Sequence, residues 1–354
     1  MSRFFSELYK DVVPYVPGEQ PKDMQYIKLN TNESPFPPSP KAQEMAAEAA
    51  KNLQLYSDPQ CKVLNEKAAE MFGISTDEVL FGNGSDELLY FAFMAFCDET
   101  HPVAFPDITY GFYSVYAQFL GIKAQQIPLK DDFSIDVNDY IGLNKTIFIA
   151  NPNAPTGLAL PLLDIEAIVK SNPNNVVVID EAYVDFGWES AIPLTHKYDN
   201  LLVIQTLSKS RSMAGGRLGF AVGCKALISD LNTLKFSTNP FNVNRMSMAA
   251  GLGALEDAKY FSANCQKIIE NRDWTTKELR ELGFTVIDSM TNFVLAKHPA
   301  LDGKALYLKL KENGILVRHF DTPRLRDYNR ITIGSAREMQ TFIDTTKRIL
   351  EGAL

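Results

Sequence analysis

The chain has 354 residues, 45% of them hydrophobic and 22% charged, which is enough for two ordinary domains and excludes a disordered or fibrous protein. Its net charge of -8, with no dense basic block, argues against a nucleic-acid or acidic-membrane partner and leaves small molecules as the expected ones. The four cysteines (Cys61, Cys97, Cys224, Cys265) lack CxxC spacing and no N-terminal signal peptide is evident, so a reducing cytoplasm is expected. The four histidines are dispersed and predict no metal site, and the longest apolar runs are strand-sized and predict no membrane span.

In chain order, the proline-dense run Ser34-Pro35-Phe36-Pro37-Pro38-Ser39-Pro40 cannot be helical and separates an N-terminal arm from the body. Lys41 to Leu55 and Lys62 to Phe72 have helix-forming composition. Glu78 to Phe81 predicts a short strand ending in Gly82-Asn83-Gly84, and Asp86 to Phe96 a buried helix. Four apolar runs follow, Pro102–Phe105, Thr146–Ala150, Val176–Ile179 and Leu201–Ile204. They lack polar alternation, as strands covered on both faces do, and helical segments such as Leu162 to Lys170 lie between them. The pattern predicts an α/β fold: a mostly parallel sheet sandwiched by helices. Beyond Arg245 a long helical stretch, Met246 to Leu282, leads into strands near Phe284–Ile287, Asn292–Leu295 and Arg330–Ile333, which predicts a smaller α+β domain. The expected organisation is an arm and linker over 1–40, a large domain over 41–245 and a small domain over 246–354.

Ligands of such sheets bind beyond the carboxyl ends of the strands, where this chain places Asn83-Gly84-Ser85, Asn151-Pro152-Asn153, Asp180-Glu181 and Ser208-Lys209. Lys209 follows a buried strand, beside hydroxyls and eight residues before Arg217; it is either a solvated surface charge or an amine placed to form an imine with an aldehyde cofactor. Asp180 is either a helix N-cap or a carboxylate that keeps a pyridine nitrogen protonated so that the ring drains electrons from a substrate carbon. Tyr183 is an ordinary core tyrosine or a donor to a ring oxygen of that cofactor.

Gly82-Asn83-Gly84-Ser85-Asp86-Glu87 reads equally as a turn with an N-cap or as a phosphate cradle of backbone N–H groups at a helix start. Arg217, Ser208 and Thr206 would add a guanidinium fork and hydroxyls to the same anion. Neither GxGxxG nor GxxxxGK[ST] is present there, which weighs against a nucleotide site. Tyr110 is a plain aromatic or a stacking partner for a planar ring, and Arg330 a surface ion-pair member or a clamp on an anionic substrate group.

Six segments occur in order across nearly the whole chain: Asn30–Pro35, Gly82–Glu87, Asn151–Gly157, Asp180–Tyr183, Thr206–Lys209 and Arg330–Gly334. Together they resemble the fold type I, pyridoxal-phosphate-dependent aminotransferases, and most closely the histidinol-phosphate aminotransferase family. The resemblance implies that Lys209 carries the cofactor imine, that Asp180 pairs the pyridine nitrogen and that Tyr183 bonds the ring oxygen. It also implies that Gly84, Ser85, Asp86, Ser208 and Arg217 hold the cofactor phosphate and that Tyr110 stacks on the ring. Tyr56 matches a tyrosine that reaches a neighbouring subunit's phosphate site, so a homodimer is expected. Tyr15, Asn32 and Arg330 match positions near the substrate. The amine donor expected from this resemblance is histidinol phosphate, with 2-oxoglutarate as acceptor and glutamate as its product. An aromatic amino acid aminotransferase, a threonine-phosphate decarboxylase and a non-catalytic cofactor-binding protein are the rival readings. One position departs from the family pattern: Ala154 stands where an asparagine often precedes Pro-Thr-Gly, so either Tyr183 serves the ring oxygen alone or Asn153 assists.

Overall fold

The structure, a computed structural model, describes residues 2–10 and 12–352. In chain order its strands are β1 (Ile27–Lys28), β2 (Val79–Gly82), β3 (Val103–Pro106), β4 (Ala124–Ile127), β5 (Thr146–Ala150), β6 (Val177–Asp180), β7 (Leu201–Thr206) and β8 (Gly219–Gly223), then β9 (Thr285–Ile287), β10 (Phe293–Lys297), β11 (Ile315–Leu316), β12 (Arg318–His319) and β13 (Asn329–Thr332). Its helices are α1 (Pro40–Ala50), α2 (Lys62–Phe72), α3 (Ser85–Phe96), α4 (Phe112–Phe119), α5 (Leu162–Ser171), α6 (Lys225–Thr238), α7 (Arg245–Glu256), α8 (Ala258–Glu281), α9 (Gly303–Glu312) and α10 (Ala336–Leu350).

The large domain is built on a seven-stranded sheet of order β2-β8-β7-β6-β5-β3-β4. Its neighbours are parallel except at β8, which runs antiparallel to both β2 and β7. The unbroken apolar runs are explained by cover on both faces. Phe81, Ile147, Ile149, Val177, Ile179, Leu201 and Val203 pack toward α1, α2, α5 and α7 in one core. The alternating residues Leu80, Phe148, Val178, Leu202 and Ile204 pack toward α3, α4 and α6 in another. With period-2 side chains, β2, β3, β5, β6, β7 and β8 each feed both cores, while the edge strand β4 leaves Ala124, Gln125 and Gln126 exposed.

The expected single helix from Met246 to Leu282 is instead two. Asp257, at φ -97° and ψ 62°, breaks the run and caps α8 by accepting from the Tyr260 N–H. Helix α7 packs on α1, where Gly253 lies so close to the Ala42 backbone that a Cβ would come within 2.8 Å of it. Met248, Ala254 and Leu255 of α7 lie in the large-domain core, so that core runs some ten residues past the expected boundary at 245.

The small domain carries the antiparallel sheet β12-β13-β10-β9 under α8 and α10, with Ile268, Leu279, Phe293, Ile331 and Phe342 in its core. Helix α10 starts with a reciprocal capping box: Ser335 accepts from the Glu338 N–H while Glu338 reaches back to the Ser335 N–H. The arm joins this domain too. β1 pairs with β11, and Leu29 sits in the small-domain core.

Candidate active site

The carboxyl ends of β5, β6 and β7 and the start of α3 converge, as the strand-end pattern predicts. Asp180 is the last residue of β6 and is 4% exposed. Its Oδ2 accepts from the Tyr113 hydroxyl at 2.8 Å, and Oδ1 accepts from the Ala182 N–H at 3.3 Å. Burial raises its pKa to about 6, against the opposing pull of the Tyr113 hydrogen bond, so at neutral pH it stays a carboxylate with spare acceptor capacity. It does not cap a helix of ordinary length. Glu181, the next residue, turns the other way and accepts from the Ala191 N–H, the Ser190 hydroxyl and the Gln205 amide, so it fastens the loop behind the sheet.

Lys209 follows the end of β7, and its Nζ donates to the Thr31 carbonyl at 3.3 Å. Burial lowers the pKa of Lys209 to about 8, with the nearby Arg330 cation pushing the same way. A lysine so shifted holds an appreciable neutral fraction near neutral pH, which a solvated surface lysine does not. Thr206 and Ser208, just before it in the chain, form a hydroxyl pair 3.0 Å apart.

The phosphate-cradle candidates also meet. Gly84 has φ +85°, a conformation suited to glycine, and a Cβ there would lie 2.6 Å from Arg217 Nη2. The N–H groups of Ser85 and Asp86, in the first turn of α3, have no partner within their helix. Arg217, itself at φ +49°, donates Nη2 to Asp86 Oδ2 at 2.9 Å, and Tyr110 donates its hydroxyl to the other carboxylate oxygen at 2.6 Å. The Asp86 side chain is therefore an acceptor already in place. What it can offer a phosphate is its backbone N–H and its hold on Arg217, not its carboxylate.

Ser85, Asp86, Tyr110, Asp180, Tyr183, Thr206, Ser208, Lys209 and Arg217 line one small cavity of about 90 Å³. Tyr110, Ala154, Tyr183 and Lys209 also line a larger one of about 670 Å³, so the two spaces meet around Lys209. Tyr15, Asn32 and Arg330 line the larger cavity. Tyr15 arrives from the arm and stacks on Phe112 with ring centres 4.3 Å apart. Asn32, at φ +56°, donates to the Tyr183 hydroxyl at 2.9 Å and accepts from the Thr332 hydroxyl at 3.0 Å. Arg330 lies over the Phe293 and Phe320 rings, donates to the Asn30 carbonyl at 3.1 Å and leaves its buried Nε without a hydrogen-bond partner.

Two expected residues stand elsewhere. Asn153 lines neither cavity; its amide donates to the Ile108 carbonyl and the Thr156 hydroxyl and accepts from the Thr109 hydroxyl. That amide is fully occupied in shaping the 151–157 loop, so it cannot stand in for the missing asparagine, and Ala154 faces the site in its place. Tyr56 is 79% exposed, stacks on Phe241 and likewise lines neither cavity of its own chain.

Other participants carry no sequence signal of the same kind. Tyr113 lies one helical turn beyond Tyr110, a spacing that reads as core packing. Arg318, Arg324 and Asp107 also line the larger cavity. Arg318 follows a two-residue strand, β11, too short to be read from its pattern.

The model of aminotransferase class I and II matches residues 24–345. The chain belongs to this family. It is 50% identical over 353 residues to the histidinol-phosphate aminotransferase of Brachyspira hyodysenteriae, covering 99% of this chain and 100% of that one. A Marinomonas enzyme of the same name matches with the same identity and coverage. Among solved structures, the Sinorhizobium meliloti histidinol-phosphate aminotransferase in complex with pyridoxal-5'-phosphate superposes with a TM-score of 0.90 at 23% identity, over 100% of this chain and 99% of that one. The shared architecture is that of the fold type I aminotransferases. Among the described residues no helix is long and apolar enough to cross a membrane, and no group of three or more His, Cys, Asp or Glu side chains is gathered as for a metal ion.

Proposed function

We propose that this chain is a pyridoxal-phosphate-dependent aminotransferase that moves the amino group of histidinol phosphate to 2-oxoglutarate, a step of histidine biosynthesis. The observation that carries the reading is the small cavity in which Lys209, Asp180 and Arg217 stand together, opening into a larger cavity with arginines on its far wall. Its relatives named histidinol-phosphate aminotransferase, at 50% identity over their full length, support this substrate.

The residues present fit the cofactor. The close approach of Gly84 to Arg217 and the free N–H groups opening α3 form a cradle for a dianion, while Asp180 would pair a ring nitrogen and Tyr183 a ring oxygen. When bound, pyridoxal phosphate supplies an aldehyde and an electron-accepting ring. The chain supplies the rest. Lys209 Nζ would hold the cofactor and, once freed, would take the proton from the amine-bearing carbon; its lowered pKa suits it to act as a base near neutral pH. Tyr183 is kept in place by Asn32, which is itself fixed to Thr332 of the small domain. With Ala154 providing no amide, Tyr183 would serve the ring oxygen alone.

Arg330 and Arg318 would receive the phosphate of histidinol phosphate and, in the second half-reaction, a carboxylate of 2-oxoglutarate or glutamate. A guanidinium accommodates either anion. Tyr56, exposed on its own chain, would complete the phosphate cradle of a second copy in a homodimer. A cytoplasmic location belongs to the same reading and agrees with four unpaired cysteines. The test is an absorbance titration of the purified holoenzyme. Histidinol phosphate should shift the cofactor's visible band at concentrations where phenylalanine does not, and no shift would overturn the substrate.

A further inference from the structure

The larger cavity is lined by four cations, Lys209, Arg318, Arg324 and Arg330, and by a single acidic side chain, Asp107. Asp107 stands just past the end of β3 on the large-domain wall, three residues before Tyr110. Its Oδ1 accepts from the Leu129 N–H at 2.9 Å. Its Oδ2 is 3.6 Å from Arg324 Nη1, an ion pair longer than a hydrogen bond, while that guanidinium donates to the Leu129 and Lys130 carbonyls. The carboxylate lines the cavity and is partly exposed, and its Oδ2 accepts no hydrogen bond.

A substrate held at Lys209 directs the substituents of its reacting carbon to different walls. The anionic one goes to the small domain, where Arg318 and Arg330 are. With the anion received there, the other substituent would extend toward the large-domain side, where Asp107, the one carboxylate among the lining residues, would reject an anion and favour an N–H donor. We propose that Asp107 is a specificity-determining residue, accepting a hydrogen bond from the ring N–H of a heteroaromatic amine substrate and thereby separating an imidazole from a phenyl ring. This rests on histidinol phosphate being the amine donor. A phenyl ring would displace water from the oxygen without offering it an N–H donor, and a bond to a charged acceptor corresponds to about 10- to 100-fold in selectivity.

The experiment compares kcat/KM for L-histidinol phosphate with that for 2-amino-3-phenylpropyl phosphate, which keeps the phosphate and replaces the ring. The wild-type holoenzyme should prefer the imidazole. In Asp107→Ala the preference should fall by about tenfold or more, with the loss on the imidazole substrate. Arg324→Met breaks the same interdomain contact from its other side and should keep the preference. An unchanged ratio in Asp107→Ala, an equal fall for both substrates, or the same fall in ratio for Arg324→Met would overturn the proposal, the last two because Asp107 would then act only by holding the wall together. Failure of the wild type to turn over histidinol phosphate would instead remove the substrate reading itself, and this assignment with it.

Discussion

The large-domain wall of the cavity and the small-domain wall are assembled in different ways. Asp180 ends a strand, Lys209 follows one by three residues, and Ser85 and Asp86 open a helix, so their positions are set by a sheet with buried residues on both faces. Arg318 and Arg330 come from two short strands of the small-domain sheet and Arg324 from the segment between them, and each is steadied further by backbone carbonyls or aromatic rings. The first wall is suited to holding a reacting centre within fractions of an ångström, the second to receiving anions of different shape. If that division is real, substitutions on the large-domain wall depress turnover, and those on the small-domain wall depress substrate binding.

The sharpest way to break the division is at Lys209. Lys209→Ala should lower kcat by about 10⁴-fold or more, read in single turnovers with histidinol phosphate, because it removes both the covalent tether and the base. A variant with a tenth of the wild-type rate would end the mechanism. Asp180→Asn keeps an acceptor for Tyr113 but loses the charge, and should lower kcat on the order of 10²- to 10³-fold with KM little changed. A rise in KM alone would move Asp180 from the chemistry to binding.

The rate at which apoprotein captures pyridoxal phosphate should climb with pH, roughly tenfold per unit, and level off above about 8. The sign follows from burial: the lowered pKa puts the neutral, nucleophilic amine within reach at a lower pH than for an ordinary lysine. Continued climbing toward pH 10 would show Lys209 to be solvated. On the other wall, Arg330→Met should reduce kcat/KM for histidinol phosphate by about 10- to 100-fold, chiefly through KM, as expected for one charge-assisted anion contact. The smallest change is Ala154→Asn, which gives the ring oxygen a second partner and should alter kcat by a few-fold, about 1 kcal/mol. A hundredfold gain would mean that Tyr183 does not serve that oxygen.

The same contrast explains what could be read from the chain in advance. Strand ends carry a local signature, an apolar run that stops at a polar residue, and so the large-domain wall and the α/β architecture were legible. The small-domain wall has no such signature: β11 and β12 are two residues long, and Arg318 gains its meaning only by folding next to Arg330. Tyr113 was hidden because a tyrosine on a helix face has the same pattern whether it packs in a core or supports a carboxylate. Asn153 misled in the opposite direction, since a motif neighbour of the right type was occupied by hydrogen bonds invisible in sequence. The break at Asp257 could have been found from its capping chemistry, which a composition-based reading of one long helix overrode.

Asn32 is hydrogen-bonded to Thr332, three hundred residues later, and β1 lies beside β11. During synthesis the segment that positions Tyr183 thus leaves the ribosome three hundred residues before its partner does, and finds its place only when that partner follows. The large-domain sheet has all its strands by Gly223 and can form earlier. A nascent chain stalled before β11 would hold Lys209 and Asp180 on a formed sheet while lacking the wall that closes over them.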